Sequence, residues 1–312
     1  MTPYIQCRQV VKAYRVSNHE IVALRGIDFE MERTEMVAII GPSGAGKSSL
    51  LNLLGGLDTP TAGQLMVDGQ NLLEFKGKQL ADYRLKRVGF VWQQVERNLL
   101  PHRSARRNIT LPMMMAGIPP WERGKRANEL LEAVGLTDHQ RKRPGALSGG
   151  MQQRVAVAVA LANHPALLLA DEITGALDRR TAAQVMDLLH DLRNRYGLTI
   201  LMVTHDMAIA NYADRVLTLR DGALGQELNH NEAEDAPRLD NGGSIKLPEG
   251  VRAHLADAPR IAVEIRPEGV LLRPETDEND DAAAALQEML PQDAPPDQRG
   301  RWRIFRRRKR QS

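Results

Sequence analysis

Short, unbroken apolar runs recur along this chain, each followed by glycine or acidic residues and then by an amphipathic stretch. Val37-Ala38-Ile39-Ile40 is the first run and Leu167-Leu168-Leu169-Ala170 the second. Runs of this length, apolar at every position, fit strands of a parallel sheet covered on both faces. Thr199 to Val203 reads as another strand. Lys47 to Leu54 carries its apolar residues at helical spacing, which predicts a helix directly behind the first strand, and a further helix is expected from Thr181 onward. Residues 1 to about 94 and about 162 to 225 therefore alternate strands with helices, the pattern of an α/β core. Ser104 to Val134, between them, is helix-rich and leads into the Pro144-Gly145 loop, so about 95–160 reads as a helical subdomain.

The pattern changes past Gly225. Glu227 to Asp240 is acidic and polar, and a linker is placed at 229–243. Ile245 to Arg252, Ile261 to Ile265 and Val270 to Pro274 alternate as short strands do, which predicts a small β-rich appendage over 244–275. Its LP-x-x-V-R start at Leu247 and its Leu272-Arg273-Pro274 end resemble the swapped-hairpin fold of small dimeric transcription factors; an irregular β extension is the alternative. Residues 276–312 read as a disordered tail, acidic first and then basic. Arg299, Arg301, Arg303, Arg306, Arg307, Arg308, Lys309 and Arg310 interleave with Trp302, Ile304 and Phe305, a pattern suited to an anionic membrane surface or to nucleic acid. A solvated tail offsetting the acidic stretch is the third reading.

Composition narrows the setting. A single Cys7 in 312 residues excludes an internal disulfide and suits a reducing compartment. Met1 to Arg8 lacks the apolar core of a signal peptide. The longest greasy region, Val155 to Ala170, is interrupted by Asn163-His164-Pro165, so no membrane span is expected. The net charge of +3 owes much to the basic tail and is no property of the core.

Two strings carry the chemistry. Gly41-Pro42-Ser43-Gly44-Ala45-Gly46-Lys47-Ser48 follows the first strand and opens the helix that continues through Ser49. The glycines let the backbone curl so that its N–H groups face an anion, and the helix turns its positive end toward the same anion. Lys47 is the candidate for the β- and γ-phosphates of a nucleotide, and the Ser48 hydroxyl for Mg²⁺. Asp171 and Glu172 emerge at the carboxyl end of the second apolar run, where open α/β sheets place their ligands. Asp171 is the candidate to hold Mg²⁺ through water, and Glu172 to polarise an attacking water. The other string is Leu147-Ser148-Gly149-Gly150-Met151-Gln152-Gln153-Arg154.

With both strings in this order, the chain is similar over about residues 3–228 to the nucleotide-binding subunits of ABC transporters. The resemblance implies a P-loop NTPase cassette: a RecA-like α/β core, an N-terminal β subdomain, and a helical subdomain that carries the signature, here with a C-terminal extension. It implies that Tyr14 stacks on adenine, although a half-buried strand residue is an equal reading. It implies that Gln93 touches Mg²⁺ and senses the membrane subunit, with Gln94 as the other register. Ser148, Gly149 and Gly150 would bind the γ-phosphate held by a second copy. Asp178, in Gly175-Ala176-Leu177-Asp178, would communicate across that dimer or cap the helix behind it. His205, in Val203-Thr204-His205-Asp206, would contact the γ-phosphate. Glu172, His205, Gln93 and Lys47 are then the catalytic candidates, and Ser48, Gln93 and Asp171 the metal candidates.

Leu53 to Asp58, Asn98 to Pro101, Asn108-Ile109 and Leu111-Pro112 resemble the lipoprotein-release and macrolide-exporter branch, with the cell-division branch as an internal alternative. That branch implies Mg-dependent ATP hydrolysis coupled to a separately encoded permease, at the cytoplasmic face of the membrane. A soluble ATPase acting on nucleic acid or ribosomes is the rival class. Arg103, Arg106 and Arg107 read as a permease contact or as a solvated face. The chain departs from the pattern at Ile173, where proline is usual, at Thr34, where glycine is usual, at Val159, where arginine is common, and at Met151, where glutamine is frequent. A looser turn before Asp178 is the expected effect of Ile173.

Overall fold

Two long strands, β1 (Ile5–Val16) and β2 (His19–Met31), pair antiparallel at the amino end, and β3 (Met36–Ile40) leads from them into α1 (Lys47–Leu54). β4 (Ala62–Val67) and β5 (Gln70–Asn71) complete a four-stranded antiparallel sheet in the order β2-β1-β4-β5. Next come α2 (Lys78–Lys86), β6 (Val88–Val91), and the helices α3 (Val95–Asn98), α4 (Ala105–Met115), α5 (Pro120–Ala133) and α6 (Gly149–Ala160). The chain then alternates again: β7 (Leu167–Asp171), α7 (Arg179–Tyr196), β8 (Thr199–Thr204), α8 (Met207–Ala210), β9 (Arg215–Arg220) and β10 (Ala223–Leu228). The second sheet runs β10-β9-β3-β8-β7-β6 and is parallel except where β10 returns against β9.

The apolar runs are unbroken because both faces of this sheet are covered. Met36, Leu168, Ala170, Ile200 and Met202 face a core shared with α4 to α7. Val37, Ile39, Leu167, Leu169, Leu201 and Val203 face a second core shared with α1 and the antiparallel sheet. A strand alternates its side chains between faces, so the apolar residues of β7 and β8 are buried alternately in one core and the other.

The computed structural model describes residues 3–16, 19–228, 238–239, 245–246, 260–266 and 269–275. The chain divides into two compact units, Met1–Glu234 and Asp235–Ser312. In the second unit β11 (Arg238–Leu239) pairs with β12 (Ile245–Lys246), and β13 (Arg260–Arg266) forms an antiparallel hairpin with β14 (Gly269–Glu275). Most of the expected linker and all of 276–312, including the basic tail, lie outside the described residues. Among the described residues no helix is long and apolar enough to cross a membrane.

Candidate active site

Between β3 and α1 the chain wraps a loop that only small residues allow. Gly44 and Gly46 hold φ of 80° and 104°, and a Cβ on Gly46 would run into the Ala23 carbonyl oxygen. Ala45 is buried in the core, and Gly41 packs against the Leu219 backbone. Lys47, almost wholly buried, donates to the carbonyls of Gly41 (2.7 Å) and Pro42 (2.9 Å). An open cleft of about 620 Å³ lies above this loop. Ser43, Gly44, Gly46, Lys47, Ser48 and Ser49 line one wall; Gln93, Asp171, Glu172 and His205, all at or just past strand ends, line the other, and Ala23 of β2 closes the rim.

Glu172 is the hub of that second wall. Its Oε2 accepts from Gln93 Nε2 at 3.0 Å and lies 3.2 Å from His205 Nδ1, while its Oε1 is 3.9 Å from Lys47 Nζ. The backbone there is left-handed, φ 46°, which is strained for a residue with a side chain. Two hydrogen bonds hold it: Glu172 N–H donates to Val203 O (3.0 Å), and Gly175 N–H donates to Glu172 O (3.1 Å). Burial pushes the Asp171 carboxyl up; a hydrogen bond from Ser48 opposes this, the Glu172 charge adds to it, and the net shift is upward. Gln93 lines the cleft and donates to Glu172, whereas Gln94, the alternative register, is not among the lining residues.

The remaining expected residues gather elsewhere. Ser148 caps α6, accepting from Met151 N–H at 3.3 Å. Gly149 lies against Leu177 and Gly150 against Thr181, where a Cβ would collide with the threonine methyl. Asp178 caps α7: Oδ1 accepts from Thr181 N–H at 3.0 Å and Oδ2 from Thr181 Oγ1 at 2.7 Å. None of these residues lines the cleft. Ile173 is buried in the helical-side core, and the turn after it closes with a bond from Leu177 N–H to Thr174 O (3.0 Å).

Tyr14, on β1, sits beside the cleft and reaches it through Ser49, whose Oγ lies 3.3 Å from the phenol oxygen. Directly opposite on β2 is Ile21, 55% exposed, an apolar neighbour on the same sheet face. Lys12 and Asp58 join Tyr14 in one network that the sequence reading passed over; the available signal was Lys12 two residues before Tyr14, on the same side of a strand.

The sequence pattern of the ABC transporter family matches residues 24–175. The lipoprotein-releasing system ATP-binding protein LolD of Bacteroides fragilis is 46% identical over 201 residues, 64% of this chain and 92% of that protein. The macrolide export ATP-binding/permease protein MacB 2 of Aeromonas hydrophila is 42% identical over 231 residues, covering 74% of this chain but 35% of that longer protein. An uncharacterised ABC transporter ATP-binding protein of Thermotoga maritima is 44% identical over 224 residues, with 94% of it covered. The solved dimer of the ATP-binding cassette MJ0796, in a post-hydrolysis state bound to ADP and Pi, superposes with a TM-score of 0.67 at 38% identity, over 72% of this chain and 98% of that one.

Proposed function

The chain belongs to the ATP-binding proteins of ABC transporters, and on that premise we propose that it hydrolyses ATP to drive a separately encoded membrane permease of the lipoprotein-release or macrolide-export type. The observation that carries the chemistry is the convergence on Glu172 of Gln93, His205 and Lys47 beside the glycine loop. In this reading Lys47 leaves the loop carbonyls for the β- and γ-phosphates, and the α1 N-terminus adds its dipole. Glu172, fixed by Gln93 and His205, orients the water whose oxygen attacks the γ-phosphorus as ADP leaves. His205 faces the transferred phosphate and adds a donor to it.

Mg²⁺ fits the residues present. Ser48, Asp171 and Gln93 line the same cleft and offer a hydroxyl, a carboxylate and an amide oxygen. Among the described residues no three His, Cys, Asp or Glu side chains form a metal cage, as suits an ion that keeps waters and phosphate oxygens as ligands. When bound, the ion would neutralise charge on the β- and γ-phosphates.

Ser148, Gly149 and Gly150 lie outside the cleft, on the N-terminus of a twelve-residue helix. This supports a head-to-tail pair of chains in which each signature completes the other's cleft, with Asp178 near the seam. The cassette over 1–228 carries this work, with about 95–160 as its helical subdomain; the linker at 229–243 and the appendage at 244–275 extend it. We place the cassette at the cytoplasmic face of the membrane, the basic residues of 299–310 meeting anionic lipid. Removing 299–312 is expected to reduce binding to anionic liposomes at unchanged ATPase activity; equal binding would reject that role. The relatives are transporter components, which leaves the nucleic-acid ATPase without support. The test is to recover the Glu172→Gln variant with ATP from gently solubilised native membranes. A multi-spanning permease with a large extracytoplasmic domain should accompany it; a membrane fraction lacking the protein would reject the reading.

A further inference from the structure

One carboxylate organises the surroundings of Tyr14. Asp58, on the turn after α1, accepts from Lys12 Nζ through Oδ1 (2.7 Å) and from the Tyr14 hydroxyl through Oδ2 (3.0 Å). Lys12 also donates to the Thr59 carbonyl at 2.9 Å and stands 4.7 Å from the centroid of the Tyr14 ring. The lysine side chain is 11% exposed and the aspartate 29%, so the pair is largely screened from water. A buried ammonium is costly unless its hydrogen bonds are filled, and here two oxygens and a ring face fill them. The half-buried ring is thereby held at its hydroxyl and met by the ammonium over one face. The same hydroxyl lies 3.3 Å from Ser49 Oγ, on the helix that begins with Lys47 and Ser48.

We propose that Asp58 and Lys12 are positioning residues that fix the Tyr14 ring as a base platform in advance and so set affinity for the base of the nucleotide. The proposal rests on the reading of Tyr14 as the adenine contact. A ring ordered before binding spares the cost of ordering it on binding, and loss of one such restraint weakens affinity about threefold to tenfold. The effect is expected on the base, because the side-chain bonds of Asp58 and Lys12 run to each other, to Tyr14 and to Thr59 rather than to the glycine loop or the acidic wall.

The experiment is calorimetric titration of the full chain with ADP and, separately, with inorganic pyrophosphate, which has no base. Asp58→Ala, Asp58→Asn, Lys12→Met and Tyr14→Ala are compared with the parent. Lys12→Met keeps the apolar stem and Asp58→Asn keeps an acceptor, so the series includes variants with little cause to unfold, and pyrophosphate binding reports an intact loop. We expect Asp58→Ala and Lys12→Met to weaken ADP about threefold to tenfold and leave pyrophosphate unchanged, Asp58→Asn to fall between, and Asp58→Ala to cost nothing further on top of Tyr14→Ala. Equal losses for ADP and pyrophosphate would overturn the proposal, because Asp58 would then act on α1 and the phosphates. Loss with Tyr14→Ala but none with Asp58→Ala or Lys12→Met would overturn it and leave Tyr14 as the platform. Unchanged ADP affinity in Tyr14→Ala would remove the platform and the proposal together.

Discussion

Thr34 carries the chain between β2 and β3 in a left-handed conformation, φ 60°, which a β-branched residue resists. Arg193 Nε binds its carbonyl at 2.6 Å, and its own N–H donates to Thr199 Oγ1 at 3.0 Å, so the strain is held by partners on α7 and β8. Thr34→Gly should relieve it without disturbing those backbone bonds. A net gain of about 1 kcal/mol is expected after the extra chain entropy of glycine, seen as a Tm rise of about 2–4 °C. An unchanged or lower Tm would mean that the turn tolerates threonine. Cys7 is the only cysteine; burial leaves it 1% exposed and pushes its thiol up to about 12. It should resist thiol reagents in the native protein and react fully in denaturant, and rapid native labelling would show that β1 opens. Glycine is the residue that the family resemblance implies at Thr34. The left-handed backbone at Glu172 left no such sign, because side-chain and strand partners impose it rather than the residue itself.

Elements are tied by single polar residues at their ends. Asp214, just before β9, accepts from Met36 N–H at 2.8 Å through Oδ2, and Arg193 reaches both its oxygens, at 2.9 and 2.8 Å. Burial alone pushes this carboxyl up, but the bonds from Arg193 and Met36 and the Arg193 charge outweigh it and hold it below 3.8. A depressed carboxylate contributes stability that is complete above its unfolded pKa and is lost as pH falls through the folded one. Acid unfolding of Asp214→Asn should therefore show a shallower dependence on pH below about 4 than the parent; the same slope would mean the tether is idle. Arg126 makes a comparable tie across the helical region. It donates to Glu129 Oε1 (2.6 Å) and to the Leu161 carbonyl past α6 (3.1 Å), and lies 4.7 Å from the Tyr196 ring centroid on α7. The strands and α1 were legible because their apolar runs and glycines follow local rules. Asp214 and Arg126 were not, since each meets partners from distant parts of the chain and a charged residue alone predicts only a solvated face.

At the scale of the molecule, two cores lie on either side of one mostly parallel sheet, and the functional residues form two groups. The glycine loop and the acidic wall share a cleft, whereas Ser148, Gly149, Gly150 and Asp178 cluster at the starts of α6 and α7. Both motifs were readable in the sequence, and the family resemblance implied that the signature serves a second copy; spacing along the chain alone could not give that, because it says little about distance in a fold. This division into two groups is why the account requires two copies. The most direct measurement is sedimentation of the Glu172→Gln variant with and without ATP, beside the same variant carrying Lys47→Ala. Glu172→Gln with ATP should sediment as a dimer, revert to monomer without nucleotide, and remain monomeric when Lys47 is also replaced. A monomer under saturating ATP, with nucleotide demonstrably bound, would contradict the shared-cleft account.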